Sequence, residues 1–229
     1  MTMTATPPLD ARVTKSLLGY GCLAGPIYLL VVGTQALARD GFDPTRHPAS
    51  VLENGALGWV QMANFFITGA MTIAAAVGVY RATRSSRGAA MWAGCLIAGY
   101  GVGLIAAGVF RADPVPGFPR ATPDEVTSSW HGVAHLLSGA VGFLGLISAC
   151  FVLAHWFARH GQRGWARYSR ATAILFAAGF VAISSGTGAP ATVLMFTASV
   201  VLGWLWLAAV SAHLYRGIPT DCANGYQAN

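Results

Sequence analysis

Six uninterrupted apolar blocks, each about twenty residues long, constrain this chain more than any other feature. They cover roughly residues 16–38, 58–80, 89–110, 131–157, 171–188 and 191–214. A block of about 22 residues wound as an α-helix reaches roughly 33 Å, enough to cross a hydrocarbon layer of about 30 Å. Unpaired backbone groups are intolerable in lipid, and the alternation of a barrel strand is missing, so each block is read as a helix. Composition agrees. Of the 229 residues 55% are apolar and 10% charged, too few charges to cover a water-soluble domain. The expected fold class is therefore all-α, an integral membrane bundle of six transmembrane helices. Residues 1–14 form an N-terminal tail, 15–216 the transmembrane domain, and 217–229 a C-terminal tail. Roughly the first eleven residues and 219–229 are read as disordered, being polar or rich in proline.

The formal charge of +6 does not point to nucleic acid, because the cations cluster at the ends of apolar blocks instead of forming a stripe. Their distribution sets topology. Arg12, Lys15, Arg81, Arg84, Arg87, Arg159, Arg163, Arg167, Arg170 and Arg216 fall on one side, and Arg39, Arg46, Arg111 and Arg120 on the other. The positive-inside rule then places both termini, the loop after the second helix and the loop after the fourth in the cytoplasm. Ala36-Leu37-Ala38 has the small-x-small pattern of a signal-peptide cleavage site, but the block before it is too long for a signal core, so an uncleaved first helix is preferred. Cys22, Cys95, Cys150 and Cys222 lie in blocks or the tail and are read as inert. The two outer loops share a plan, from Arg39 through Asp43-Pro44 to Trp59 and from Arg111 through Asp113-Pro114 to Trp130, which leaves a duplicated helical hairpin open beside chance.

Polar side chains inside a span are costly unless satisfied, so they mark where chemistry can sit. On the second helix Gln61, Asn64, Thr68 and Thr72 fall on one face; on the fourth, His131, His135, Ser138 and Gly142 do the same. Both stripes begin at the outer end. Gln35, Arg111, Asp113, Ser184, Ser185 and Thr187 reach the same level, which predicts an outward-facing polar pocket. Asp113, His131 and His135 are the candidate catalytic residues and the candidate ligands of a divalent metal such as zinc, since a carboxylate and two imidazoles make a common zinc shell. Against this stands a closure of the outer end by hydrogen bonds and a charge pair between Asp113 and Arg111, Arg120 or a histidine. Gln61, Asn64, Arg111, Ser50 and Glu53 are candidate substrate-binding residues. Ser50 and Glu53 also have the spacing of a capping box, the preferred reading of that pair. His47 is expected to be an exposed loop residue, and Trp59, Trp92, Trp130, Trp156 and Trp165 an aromatic belt. Gly94, Gly101 and Gly108, with the Gly99/Gly103 pair, mark a close helix contact, either internal or in a dimer.

His47-Pro48-Ala49-Ser50, Gly58-Trp59-Val60-Gln61, Asn64-Phe65, Gly108-Val109-Phe110-Arg111-Ala112-Asp113-Pro114 and His131-Gly132 with His135 resemble the uncharacterised bacterial multi-pass family catalogued as domain of unknown function 998. The resemblance covers about residues 15–215 and implies a six-helix membrane fold without an established activity. A looser likeness joins Ser50, Asp113, His131 and His135 to transmembrane hydrolases of the alkaline ceramidase type, which implies zinc-dependent hydrolysis. The chain departs from that pattern in its number of helices and in lacking a third intramembrane histidine near the outer end. The expected function is that of a membrane enzyme, a hydrolase or a cyclase or isomerase, acting on a lipid-like or isoprenoid molecule. The alternative is a non-enzymatic accessory subunit or small transporter. An apolar inner half argues against transport.

Overall fold

The computed structural model describes residues 9–186 and 188–219; Thr187, Cys222 and the ends of the chain lie outside them. Among the described residues the architecture is all-helical, with six α-helices: α1 (Leu9–Ala38), α2 (Gly58–Thr83), α3 (Arg87–Val109), α4 (Trp130–Arg159), α5 (Arg163–Ser184) and α6 (Pro190–Gly217). A short 3-10 helix, Ala49–Glu53, lies in the loop between α1 and α2. Each helix packs on the next, and α6 returns to α1, so the bundle closes as a ring in chain order. α1, α2, α3, α4 and α6 are long and apolar enough to cross a membrane. The fifth apolar block differs: Arg163, Arg167 and Arg170 occupy the first turns of α5, leaving a short apolar remainder.

Helices extend past the apolar blocks because interfacial turns can be held by polar contacts. α1 begins at Leu9, so residues 9–14, assigned by sequence to a tail, are helical. There Thr14 donates to the Asp10 carbonyl at 2.8 Å, and Arg81 of α2 reaches Thr14 Oγ1 at 3.0 Å and the Asp10 carboxylate at 2.9 Å.

Small residues set the helix spacing, as expected where lipid supplies no hydrophobic drive for association. A Cβ on Gly101 would stand 2.7 Å from the Gly69 carbonyl oxygen, and one on Gly69 would stand 2.8 Å from the Gly101 oxygen. Gly94 and Gly108 also abut α2, so the seven-residue glycine spacing of α3 is an internal contact. Gly103 meets Gly142 of α4, whereas Gly99 has open space around it. Trp204, Tyr28, Tyr100, Phe176, Leu146 and Leu207 fill the middle of the ring. The buried Trp206 indole donates to Ser169 at 2.9 Å.

Candidate functional site

The site lies at the end of the bundle where the 3-10 helix and the loop after α3 fold inward. Pro48 enters the 3-10 helix in an extended conformation, and Ser50 makes no capping bond. The Ser50-x-x-Glu53 spacing is therefore not a capping box, and Glu53 turns toward the protein interior. Three contacts enforce this. Arg39 donates to the carbonyls of Leu52 and Asn54 while its guanidinium lies 4.9 Å from the Phe118 ring centre. Asn54 Nδ2 donates to the Ala112 carbonyl at 3.1 Å, tying this loop to the one after α3. Gly58 allows the chain to double back, since a Cβ there would sit 1.9 Å from the Glu53 carbonyl oxygen.

Glu53 is 0% exposed. Its Oε2 accepts from the Ala112 amide at 3.0 Å and stands 3.3 Å from His135 Nδ1. Oε1 is buried with no partner among the described residues. Burial pushes the Glu53 carboxyl up to about 8, against the pull of the Ala112 amide and the Arg111 charge. Arg111 itself is exposed.

His135 Nδ1 also lies 3.0 Å from the Ala107 carbonyl oxygen and 2.8 Å from that of Phe110, both in the last turn of α3 or just past it. Three oxygens around one nitrogen require a proton on it, so Nδ1 is the donor, and in the neutral form of the ring Nε2 carries the free lone pair.

Asp113 and His131 belong to a different network. Asp113 accepts from the Ser129 amide at 2.9 Å and from the Ser129 hydroxyl. Ser129 is the N-cap of α4: its Oγ accepts from the Gly132 amide at 3.0 Å and lies 2.7 Å from His131 Nδ1. Gly132 is required for this approach, because a Cβ would meet Asp113 Oδ2 at 2.0 Å. Partial burial raises the Asp113 carboxyl, but the two Ser129 bonds prevail and hold it below its ordinary range. The expected pairing of Asp113 with Arg111 or Arg120 is absent among the described residues, where Ser129 takes that place.

The expected ligand set of Asp113, His131 and His135 is not gathered as one group among the described residues. His135 Nδ1 is committed to carbonyls and Glu53, and both Asp113 oxygens to Ser129. Among the described residues no group of three or more His, Cys, Asp or Glu side chains is arranged to hold an ion. Without that set, the geometry does not carry the likeness to alkaline ceramidases.

The stripe on α2 faces α1. Gln35 donates to Gln61 Oε1 at 2.9 Å, and Asn64 donates to the Tyr28 carbonyl at 3.3 Å. Thr68 and Thr72 bond back to their own helix at 2.6 and 2.7 Å. Gln61 and Asn64 thus sit in the α1/α2 contact and do not line the cavity described below. Gln35 Oε1, Gln61 Nε2 and Asn64 Oδ1 remain buried without partners among the described residues.

His47 is a further correction, being buried: it accepts from the Asp43 amide at 2.9 Å through Nδ1 and faces the Pro116 carbonyl at 3.2 Å through Nε2. Rings of Phe42 and Phe118 flank it. Tyr28, Arg39, Asn54 and Ser129 were not selected from sequence as site residues. Only Ser129 carries a readable signal, a cap residue immediately before an apolar helix.

A cavity of about 690 Å³ opens beneath these loops. Ser50, Asp113 and His135 lie at its polar end, and Tyr28, Tyr100, Phe143, Phe180 and Phe196 are among its apolar walls. Leu136 and Leu137 of α4 and Ser184 of α5 line it and are exposed. The geometry combines a large apolar chamber with one imidazole whose Nδ1 is held as a donor, backed by a buried acid.

The sequence model of a family described as "Protein of unknown function (DUF998)" matches residues 22–213. No curated protein and no solved structure matches the chain.

Proposed function

We propose, for a chain that belongs to this family of unknown function, a membrane enzyme in which His135 acts as the acid–base group on a lipid-like or isoprenoid molecule held in the cavity. The observation that carries the reading is His135 itself. Its Nδ1 proton is held by the Phe110 and Ala107 carbonyls while the residue lines a chamber of about 690 Å³. Such a ring has Nε2 ready to accept a proton from a water or hydroxyl group, the work of a general base. Glu53 at 3.3 Å then stabilises the imidazolium when ionised, as carboxylates do for catalytic histidines. Ser50 on the same wall is a positioning donor, or an attacking hydroxyl in the hydrolytic form of the reaction. Asp113 and His131 act indirectly, by fixing the start of α4 and with it His135. Hydrolysis and cyclisation or isomerisation are both compatible with one base in an apolar chamber.

The accompanying topology is six spans, both termini cytoplasmic, in the bacterial plasma membrane, with the cavity facing outward. The apolar walls and the exposed Leu136, Leu137 and Ser184 support entry of substrate from the bilayer between α4 and α5.

Reconstituted protein offered a panel of lipid esters and polyprenyl compounds tests the reading. Turnover lost by at least roughly a hundredfold in His135→Gln, the usual weight of a general base, supports it. Equal turnover by His135→Gln and the unmodified protein, or cavity labelling by a photoreactive lipid without turnover of any compound, overturns catalysis in favour of a carrier or accessory role.

A further inference from the structure

At the opposite, arginine-rich end of the bundle, a pocket of about 330 Å³ lies between the start of α3 and the last turns of α4. Ser86, Arg87, Gly88 and Ala89 form one wall, and His155, Trp156 and Arg159 the other. We infer that this pocket is a binding site for a phosphate group, supplied by the headgroup of an anionic phospholipid or by free phosphate.

The wall from α3 is a helix N-terminus with its donors unspent. Ser86 occupies the N-cap but makes no side-chain bond, and the first amide satisfied within the helix is that of Ala90, which donates to the Ser86 carbonyl at 2.9 Å. The amides of Arg87, Gly88 and Ala89 are left facing outward at the positive end of a 23-residue helix. Gly88 has open space where a Cβ would be, so an oxyanion can approach the backbone.

The second wall independently points to a ligand. Trp156 is only 7% exposed, yet its indole N–H, the one polar group of its side chain, is buried with no acceptor among the described residues. An indole is a donor only, and a buried donor without an acceptor is costly, so an acceptor oxygen that reached it from the pocket would relieve that cost. This sets Trp156 apart from Trp59, Trp92 and Trp130, which are exposed as belt residues should be. Arg87, Arg159 and His155 are exposed and form no ion pair or hydrogen bond among the described residues. The lining contains no carboxylate. The backbone amides at the start of α3 and the cationic Arg87 and Arg159 thus complement a phosphate oxyanion. The last carbonyls of α4 oppose an anion, and Arg159, a cation in that helix's last turn, offsets them.

Two probes separate the sources: retention of phosphatidylglycerol over phosphatidylcholine through detergent exchange, read by mass spectrometry, and equilibrium dialysis of inorganic phosphate against protein in phosphatidylcholine nanodiscs. Retention of the lipid alone assigns the site to a headgroup; phosphate binding in the absence of anionic lipid assigns it to the free ion. In either case Arg87→Ala with Arg159→Ala, and separately Trp156→Phe, should weaken binding roughly tenfold, the scale of one charge-assisted hydrogen bond. Arg84→Ala, a cation at the same end but outside the pocket, should leave binding within about twofold. Binding of neither probe, unchanged binding in the Arg87/Arg159 variant, or an equal loss in Arg84→Ala overturns the site. The arginine variant alters exposed side chains, so it keeps the test decisive even if Trp156→Phe does not fold.

Discussion

Glu53 is the residue whose environment departs most from expectation, and its protonation leaves a measurable trace. Its carboxyl sits near 8 in the folded protein and near 4.3 in an unfolded chain, so between those values the folded state holds one more proton. Stability contributed by the neutral acid is therefore complete below about pH 4.3 and is lost as pH rises toward 8, with a limiting slope of about 1.4 kcal/mol per pH unit. Glu53→Gln keeps the shape and cannot ionise, so it should flatten that slope. Unfolding of purified protein at pH 5, 7 and 8.5 measures it, and a slope unchanged by the substitution contradicts a buried neutral acid. Ser129 is the second informative residue. Ser129→Ala removes the cap of α4 together with a bond to Asp113 and one to His131, and should cost about 2 kcal/mol. Gly132→Ala should be at least as damaging, because its Cβ enters the Asp113 carboxylate. Thermal unfolding reads both, and a shift near zero for either would show that this cap does not hold the site.

Among the elements, α3 distinguishes packing from spacing. Gly99 and Gly101 are two residues apart and look equivalent in sequence, but Gly101 touches the backbone of α2 and Gly99 touches nothing. Gly101→Ala must push α2 and α3 apart and is expected to destabilise by roughly 1–3 kcal/mol, the cost of overpacking. Gly99→Ala should stay within about 0.5 kcal/mol. Comparison of their midpoints in a denaturing-detergent titration checks this, and equal effects would indicate that α3 also meets a second copy through Gly99. The same helix shows what was legible at this scale. The glycine period announces a close contact without naming its partner, and the α2 stripe of Gln61 and Asn64 announces a buried face without saying that α1, and not a ligand, covers it.

For the whole molecule, the proposed topology places the Arg-rich loop between α2 and α3 inside and the loop carrying Asp124 outside. In a cysteine-free background, Asp124→Cys should react with an impermeant thiol reagent on intact cells, and Ser85→Cys only after permeabilisation. The reverse pattern overturns the orientation. The apolar blocks by themselves determined that the chain is a multi-pass helical bundle, because burying backbone in lipid leaves helices as the economical form. They also marked the end of the bundle where polar groups gather, since each such group must be satisfied. Tertiary structure alone decided how those groups pair. Asp113 and His131 lie eighteen positions apart yet share Ser129, whereas His135, one helical turn from His131, turns away to Glu53 and the end of α3. Helical periodicity fixes the direction of a side chain relative to its own axis; partners across the bundle depend on loop paths that Arg39, Asn54 and Gly58 set through contacts distant in sequence. The inward turn of Glu53, and with it the contact behind His135, arises from those contacts and has no local pattern to announce it.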